Sequence, residues 1–382
     1  MKHTLLAITL CAATLCTNLA AAPADATLKD ADQFFARGEF SRAYLAYQNV
    51  VAATPHVSSA LLGLGTIELY RNQLTLARQH LAAALAVDPS NVMAKARLQT
   101  LDDRLGRSGT YHIVGTLTRL PFILDPLPIL TVVINGHKAK MLLDTGAPGL
   151  GISTAFAARL GLTSKIVGKG VFAGGRTAQV RAATIREIHL GALTVTNVPA
   201  QIFPGVPGDG IIGTGFLAHF LSTVDYAHKQ LLLAPISDSR GFEARAVTTH
   251  ATVVPMVFVG DHFIFARASV NAAPRGWFNI DTGGPFGIQM TKDALGQAGI
   301  VTDPKKAQLV NGPGGDTHII PFDATSVSVG SDLEKHVDGV YFADGDQYGI
   351  FPFTVWGTLS QSFFLHDKVT FDFSAMRIVI EK

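Results

Sequence analysis

The chain has 382 residues, 31 basic against 29 acidic for a formal net charge of +2, and a hydrophobic content of 48%. It is too apolar to be disordered and too long for one small domain, so two or three globular units are expected. With no sustained basic field and no Lys/Arg stripe interleaved with aromatics, nucleic acid is not an expected partner.

Lys2 precedes an apolar run from Leu5 to Leu15, followed by the small residues Ala20, Ala21, Ala22 and Ala24. This is the pattern of a secretory signal peptide over residues 1–24, and it predicts an exported protein, periplasmic or secreted, with no membrane association after cleavage. The run is too short to span a bilayer. Cys11 and Cys16 both lie within it. The mature chain is therefore expected to lack thiols, which excludes cysteine catalysis, thiolate metal sites and disulfides.

Residues 28–105 read as helical and Ala/Leu-rich, and Pro55 and Pro89 end successive units. The separation of these two prolines matches the period of a helix-turn-helix array. Ala43 and Ala77 fall where two helices approach closely, and Tyr47 and Leu81 fall at large core positions. The segment resembles two tetratricopeptide repeats plus a closing helix from Val92 to Leu105, with a linker at Gly106–Gly109. Such a segment either offers a groove to a partner protein or packs against the domain that follows.

Beyond the linker, β-branched and apolar runs alternate with Gly, Pro and Asn-Gly breaks, which predicts a mainly β region that repeats itself. In the first copy, strands Ile129–Ile134 and Lys138–Leu143 meet at Asn135-Gly136 and lead into Asp144-Thr145-Gly146. In the second, Phe263–Val270 and Trp277–Ile280 lead into Asp281-Thr282-Gly283. A short helix with a hydroxyl start and a glycine stop follows each, Ser153–Leu160 then Gly161 and Thr291–Ala298 then Gly299. Two apolar residues and Gly-Thr recur at Ile211-Ile212-Gly213-Thr214 and Val355-Trp356-Gly357-Thr358, and a β pair closes each copy near Asp225-Tyr226 and Asp372-Phe373.

With these features the β region resembles an aspartic protease of the retropepsin/pepsin type. The resemblance implies a multidomain α and β chain: a helical repeat segment at 28–105, then a bilobal, mainly β acid-protease fold with lobes at 110–238 and 246–382. It implies an aspartic-type endopeptidase in which Asp144 and Asp281 share a proton and activate a water. Thr145 and Thr282 would cross-link the two loops, while Gly146 and Gly283 let backbone reach the carboxylates. Gly-rich hairpins at 168–176 and 311–316, with Val171, Phe172, Gly174 and Gly314, would close over substrate. Both catalytic halves lie in one chain, so a monomer suffices, and the substrate is a peptide or protein bound extended. Pepsin-type sites often carry a hydroxyl after the triplet; Ala147 and Gly284 stand there instead. That departure keeps a second reading open, a catalytically inactive protease-like peptide-binding module with a helical-repeat adaptor.

No cofactor or metal is expected. The 13 His show no zinc-binding spacing, and no Gly-x-Ser-x-Gly element supports a serine hydrolase. Gly208-Asp209-Gly210-Ile211-Ile212-Gly213 fits a dinucleotide fingerprint only formally, and Asp209 reads as structural.

Overall fold

A computed structural model describes residues 27–171, 177–239, 241–242, 251–312 and 315–382. The expected signal segment, 1–24, lies outside the described residues. Five helices come first: α1 (Leu28–Ala36), α2 (Phe40–Ala53), α3 (Ser58–Tyr70), α4 (Leu74–Val87) and α5 (Val92–Thr110). The Thr27 hydroxyl accepts from the Asp30 N–H while the Asp30 carboxylate accepts from the Thr27 N–H, closing a capping box at the start of α1. Ala43, Ala77 and Leu81 are fully buried and Tyr47 nearly so, at the contacts between successive helices. None of the described helices is long and apolar enough to cross a membrane.

The linker expected at Gly106–Gly109 is instead the last turn of α5. Tertiary anchoring overrides the low helix propensity of glycine here. The buried Arg104 guanidinium donates to the Leu69 carbonyl at 2.8 Å and to the Phe258 and Gly260 carbonyls at 2.7 and 2.6 Å, pinning the helix across its junction with the β region.

That region opens with β1 (His112–Val114), β2 (Thr118–Leu124), β3 (Pro128–Ile134), β4 (His137–Asp144) and β5 (Leu150–Ser153). After helix α6 (Thr154–Arg159) come β6 (Lys165–Val171), β7 (Thr177–Leu190), β8 (Leu193–Phe203) and β9 (Gly210–Gly213). Helix α7 (Thr214–Leu217) leads to β10 (Phe220–Asp225) and β11 (Gln230–Pro235). The second half holds β12 (Thr252–Val259), β13 (Phe263–Val270), β14 (Gly276–Asp281), β15 (Ile288–Met290) and helix α8 (Lys292–Gln297). It ends with β16 (Gln308–Gly312), β17 (Gly315–Val329), β18 (Asp332–Phe342), β19 (Gly357–Ser360), β20 (Lys368–Asp372) and β21 (Arg377–Glu381).

Local chemistry accounts for these bounds. Asn135 and Gly136 both have positive φ, 49° and 84°, the backbone of the tight turn that joins β3 to β4. Ser153 and Thr291 cap α6 and α8 through their side chains, and Gly161 and Gly299 end them at φ of 61° and 66°. β2 alternates buried and exposed residues and so has one wet face, whereas β5, β9 and β19 are buried throughout and form the centre.

The two halves repeat one set of pairings. β4 runs parallel to β9 as β14 does to β19; β5 and β15 pair antiparallel with those partners and parallel with β8 and β18. Beneath them β2, β11, β10, β20, β21 and β12 form, in that order, one antiparallel floor that draws strands from both halves. One large core runs through both halves. A second joins the helices to the second half, where Phe40 packs on Trp277 and Phe353 with ring centroids 5.3 and 5.1 Å apart.

Candidate active site

Each Asp-Thr-Gly begins on the last residue of a central strand, Asp144 on β4 and Asp281 on β14, and turns back toward the other half. The two threonines lock the turns together. The Thr145 hydroxyl donates to the Ile280 carbonyl at 2.8 Å and accepts from the Thr282 N–H at 3.0 Å. Reciprocally, the Thr282 hydroxyl donates to the Leu143 carbonyl at 2.9 Å and accepts from the Thr145 N–H at 3.0 Å. All four bonds are buried, where hydrogen bonds hold geometry most firmly.

The glycines act on both carboxyls. Gly146 N–H donates to Asp144 Oδ1 and Gly283 N–H to Asp281 Oδ1, each at 2.8 Å. A Cβ on Gly146 would stand 2.5 Å from Asp281 Cγ, and one on Gly283 would stand 2.4 Å from Asp144 Cγ. Each triplet thus leaves room for the opposite acid. Both Asp side chains are half-buried. Burial, the Asp281 charge and a hydrogen bond to the Asp281 carboxyl push Asp144 well above the usual carboxylate value, against the opposing Gly146 N–H. Two facing carboxyls titrate as a unit that keeps one proton where an isolated acid would be ionised. Such a pair presents a proton donor and a proton acceptor at one point.

In the second half the position beside the acid lies three residues beyond the Gly that the sequence pattern suggested, and it is a serine. In the first half Asp144 stands beside Gly213, whereas in the second Asp281 stands beside Ser360. Gly357, read from sequence as the counterpart of Gly213, is the counterpart of Gly210: Met141 pairs with Gly210 as Phe278 pairs with Gly357. Gly357 is required by the approach of β15, since a Cβ there would lie 1.8 Å from the Gln289 carbonyl oxygen.

Ser360 explains Gly284. Its hydroxyl donates to the Asp281 carbonyl at 2.5 Å, and a Cβ on Gly284 would stand 2.3 Å from Ser360 Oγ. The first half has the opposite arrangement: side chain on the loop at Ala147, glycine on the strand at Gly213, whose Cβ would strike the Ala147 carbonyl oxygen at 2.3 Å. The second turn is also one residue longer: Leu150 pairs with Ile212, six residues after Asp144, and Ile288 with Leu359, seven after Asp281. Sequence reasoning missed Ser360 and also Thr214, whose hydroxyl donates to the Thr145 carbonyl at 2.6 Å. Thr214 was within reach as the hydroxyl following Gly213; Ser360 needed the strand register.

Of the expected flap residues, Val171 is the last residue of β6, while Phe172, Gly174 and Gly314 lie outside the described residues. β6 pairs antiparallel with β7, and β16 with β17. Asp209 accepts from Lys140 N–H and from Arg159, each at 2.9 Å, and the fingerprint-like stretch around it enters buried β9. Asp332, Glu334 and Asp367 bring carboxylate oxygens within 4.8 Å of one another. The Lys382 ammonium occupies that cluster, 2.7 Å from Asp332 and 3.2 Å from Asp367.

Residues 130–216 match a family model described as aspartyl protease. The matched stretch contains Asp144-Thr145-Gly146 and Ile211-Ile212-Gly213, so the first acid stands in aspartyl-protease sequence. No curated protein matches the chain. Among solved structures, a retropepsin-like aspartic protease from Rickettsia conorii is 17% identical over 32% of this chain and 92% of its own, with a TM-score of 0.25.

Proposed function

We propose that the chain is an exported aspartic endopeptidase whose two lobes, 110–238 and 246–382, each supply one acid of the catalytic pair, Asp144 and Asp281. The observation that carries this reading is the reciprocal Thr145–Thr282 cross-link, which holds the two carboxyls in hydrogen-bond contact with Asp144 inclined to keep its proton. A water between the acids loses a proton to the ionised member and attacks the peptide carbonyl carbon. The protonated member gives its proton to the carbonyl oxygen, forming a tetrahedral diol, which collapses as the acid that took the water's proton passes it to the departing amine and one diol hydroxyl returns a proton to the other acid. No covalent intermediate or cofactor enters this scheme, and one chain contains both acids. The substrate is an extended peptide or protein segment, closed over by the hairpins at 168–176 and 311–316.

The leader at 1–24 supports export to the periplasm or beyond, and the helical period supports a tetratricopeptide-type segment at 28–105. The aromatic contacts of Phe40 with Trp277 and Phe353 favour packing on the second lobe as one role of that segment. Ser360 accounts for Gly284 by filling the space beside it and donating to the Asp281 main-chain carbonyl, whereas Ala147 has no hydroxyl counterpart, so the inactive-module reading stays as the alternative that digestion separates.

Digestion of a peptide library from acidic to neutral pH tests the reading. Cleavage by the native chain, and its loss in both Asp144→Asn and Asp281→Asn, is the expected result. Unchanged cleavage in either variant refutes the pair. Binding without cleavage by any form would favour the inactive module.

A further inference from the structure

Away from the acids, the seam between the helices and the second half of the β region forms an open cleft of about 460 Å3. Its walls carry Arg42 and Arg71 from the helical side and Arg267 from β13, over an apolar floor that includes Met256, Trp277 and Met376. Trp277 precedes Asp281 by four residues on β14, about 13 Å at the rise of a strand, so the cavity is separate from the catalytic pair.

The charges around this cavity do not balance. Glu39 is the one acid on its lining, and its carboxylate is already engaged by Arg37 at 2.7 Å and Arg42 at 2.6 Å. Arg71 donates to the Ser41 hydroxyl at 3.1 Å, and Arg267 donates to the Arg275 carbonyl while lying 5.2 Å over the Trp277 ring. Neither has a carboxylate within ion-pair distance among the described residues. Arg42 Nε is buried without an acceptor. The 14-residue α2 starts on the same wall with no side-chain cap, so its dipole adds to the positive field. Three half-buried guanidiniums that share a cavity with one carboxylate, itself held by Arg37 and Arg42, leave a net positive charge there, which an entering anion stabilises.

We propose that this seam binds an organic carboxylate carried on an apolar body. Planar guanidinium forks match a carboxylate bidentately, and Met256, Trp277 and Met376 offer an apolar bed that a polyphosphate would leave uncovered. The volume lies within the range of small-molecule sites. A fatty acid and the C-terminal end of an apolar peptide share this chemistry. The site requires neither acid of the catalytic pair, and its test reads binding alone.

Titration calorimetry on the full chain carrying Asp144→Asn, which prevents turnover, uses decanoate, decanol, N-acetyl-Leu-Leu-Phe and the C-terminal amide of that peptide. At least one acid is expected to bind, with its uncharged counterpart about tenfold weaker or more, the equivalent of one charge-assisted hydrogen bond. Whichever acid binds more tightly identifies the source as lipid-derived or peptide-derived. Arg71→Gln and Arg267→Gln are each expected to weaken binding about tenfold. Glu39→Gln, which removes the competing acid, is expected to tighten it, a gain that damaged folding cannot produce. Equal binding of acid and uncharged counterpart, no binding of either acid, or unchanged affinity in Glu39→Gln overturns the proposal.

Discussion

Gly284→Ala places a methyl group 2.3 Å from Ser360 Oγ, 3.1 Å from Ser360 Cβ and 3.0 Å from Phe286 Cζ. The overlap with the hydroxyl is about 1 Å, too large for a packed turn to absorb without movement. Either the hydroxyl swings away and abandons the Asp281 carbonyl, or the turn carrying Asp281 shifts. Overpacking costs about 1–3 kcal/mol and a lost hydrogen bond about 1 kcal/mol, so destabilisation of about 2–4 kcal/mol is expected. Asp281 lies three residues upstream in the same turn, and an error of that size in a reacting group costs about 100-fold in rate. Adding Ser360→Gly clears the space and recreates the arrangement of Ala147 and Gly213. The double variant is therefore expected to recover to within about tenfold of native kcat/KM and about 1.5 kcal/mol of native stability. Peptide hydrolysis and urea unfolding, measured on both single variants and the double, give the coupling. If the two changes simply add, the strand register and the steric argument drawn from it are wrong, and the unfolding data decide this even without turnover.

Because Asp144 keeps its proton above the ordinary carboxylate range, kcat/KM should be bell-shaped in pH, with an alkaline limb above the pKa of a free carboxyl; a limb at the free-acid value contradicts the shared proton. Arg104→Ala strands three carbonyls at the junction of helices and β region and should cost about 3 kcal/mol in urea unfolding. A loss below about 1 kcal/mol would mean that α5 is not anchored there. Asp367 is pushed up to about 6 by burial and by the charge of Asp332. The native state thus holds a proton that the unfolded chain releases, and stability should fall as pH rises from about 4 to about 6. Asp367→Asn should flatten that slope in unfolding midpoints measured across the window, and an unchanged slope would assign it to other groups.

Much of the architecture was written locally. The Asn135-Gly136 turn, the Ser153 and Thr291 caps and the glycine stops at 161 and 299 depend on short-range backbone and hydrogen-bond chemistry, and these appear where the pattern put them. The triplets were legible for the same reason, as each is a strand end running into a turn. Two features were not legible, because they depend on partners far away in sequence. α5 passes through Gly106 and Gly109 because Arg104 is held by carbonyls of β12 and the residue after it, in the other half of the chain. Ser360 took its place beside Asp281 through a parallel register, and a more conspicuous Gly-Thr three residues earlier drew attention away. Pairing between distant strands is set by the summed fit of their faces, which a search for matching tripeptides does not weigh.

The floor of β2, β11, β10, β20, β21 and β12 constrains how anything reaches the two acids. Its β10–β20 seam ties Ser222 to Phe371 and Asp225 to Lys368, and the buried hydroxyls of Thr223 and Thr370 meet across it at 2.7 Å. Swinging the halves apart would tear this ladder before it widened any gap above. The carboxyls therefore travel as one mechanical part above a base that stays shut.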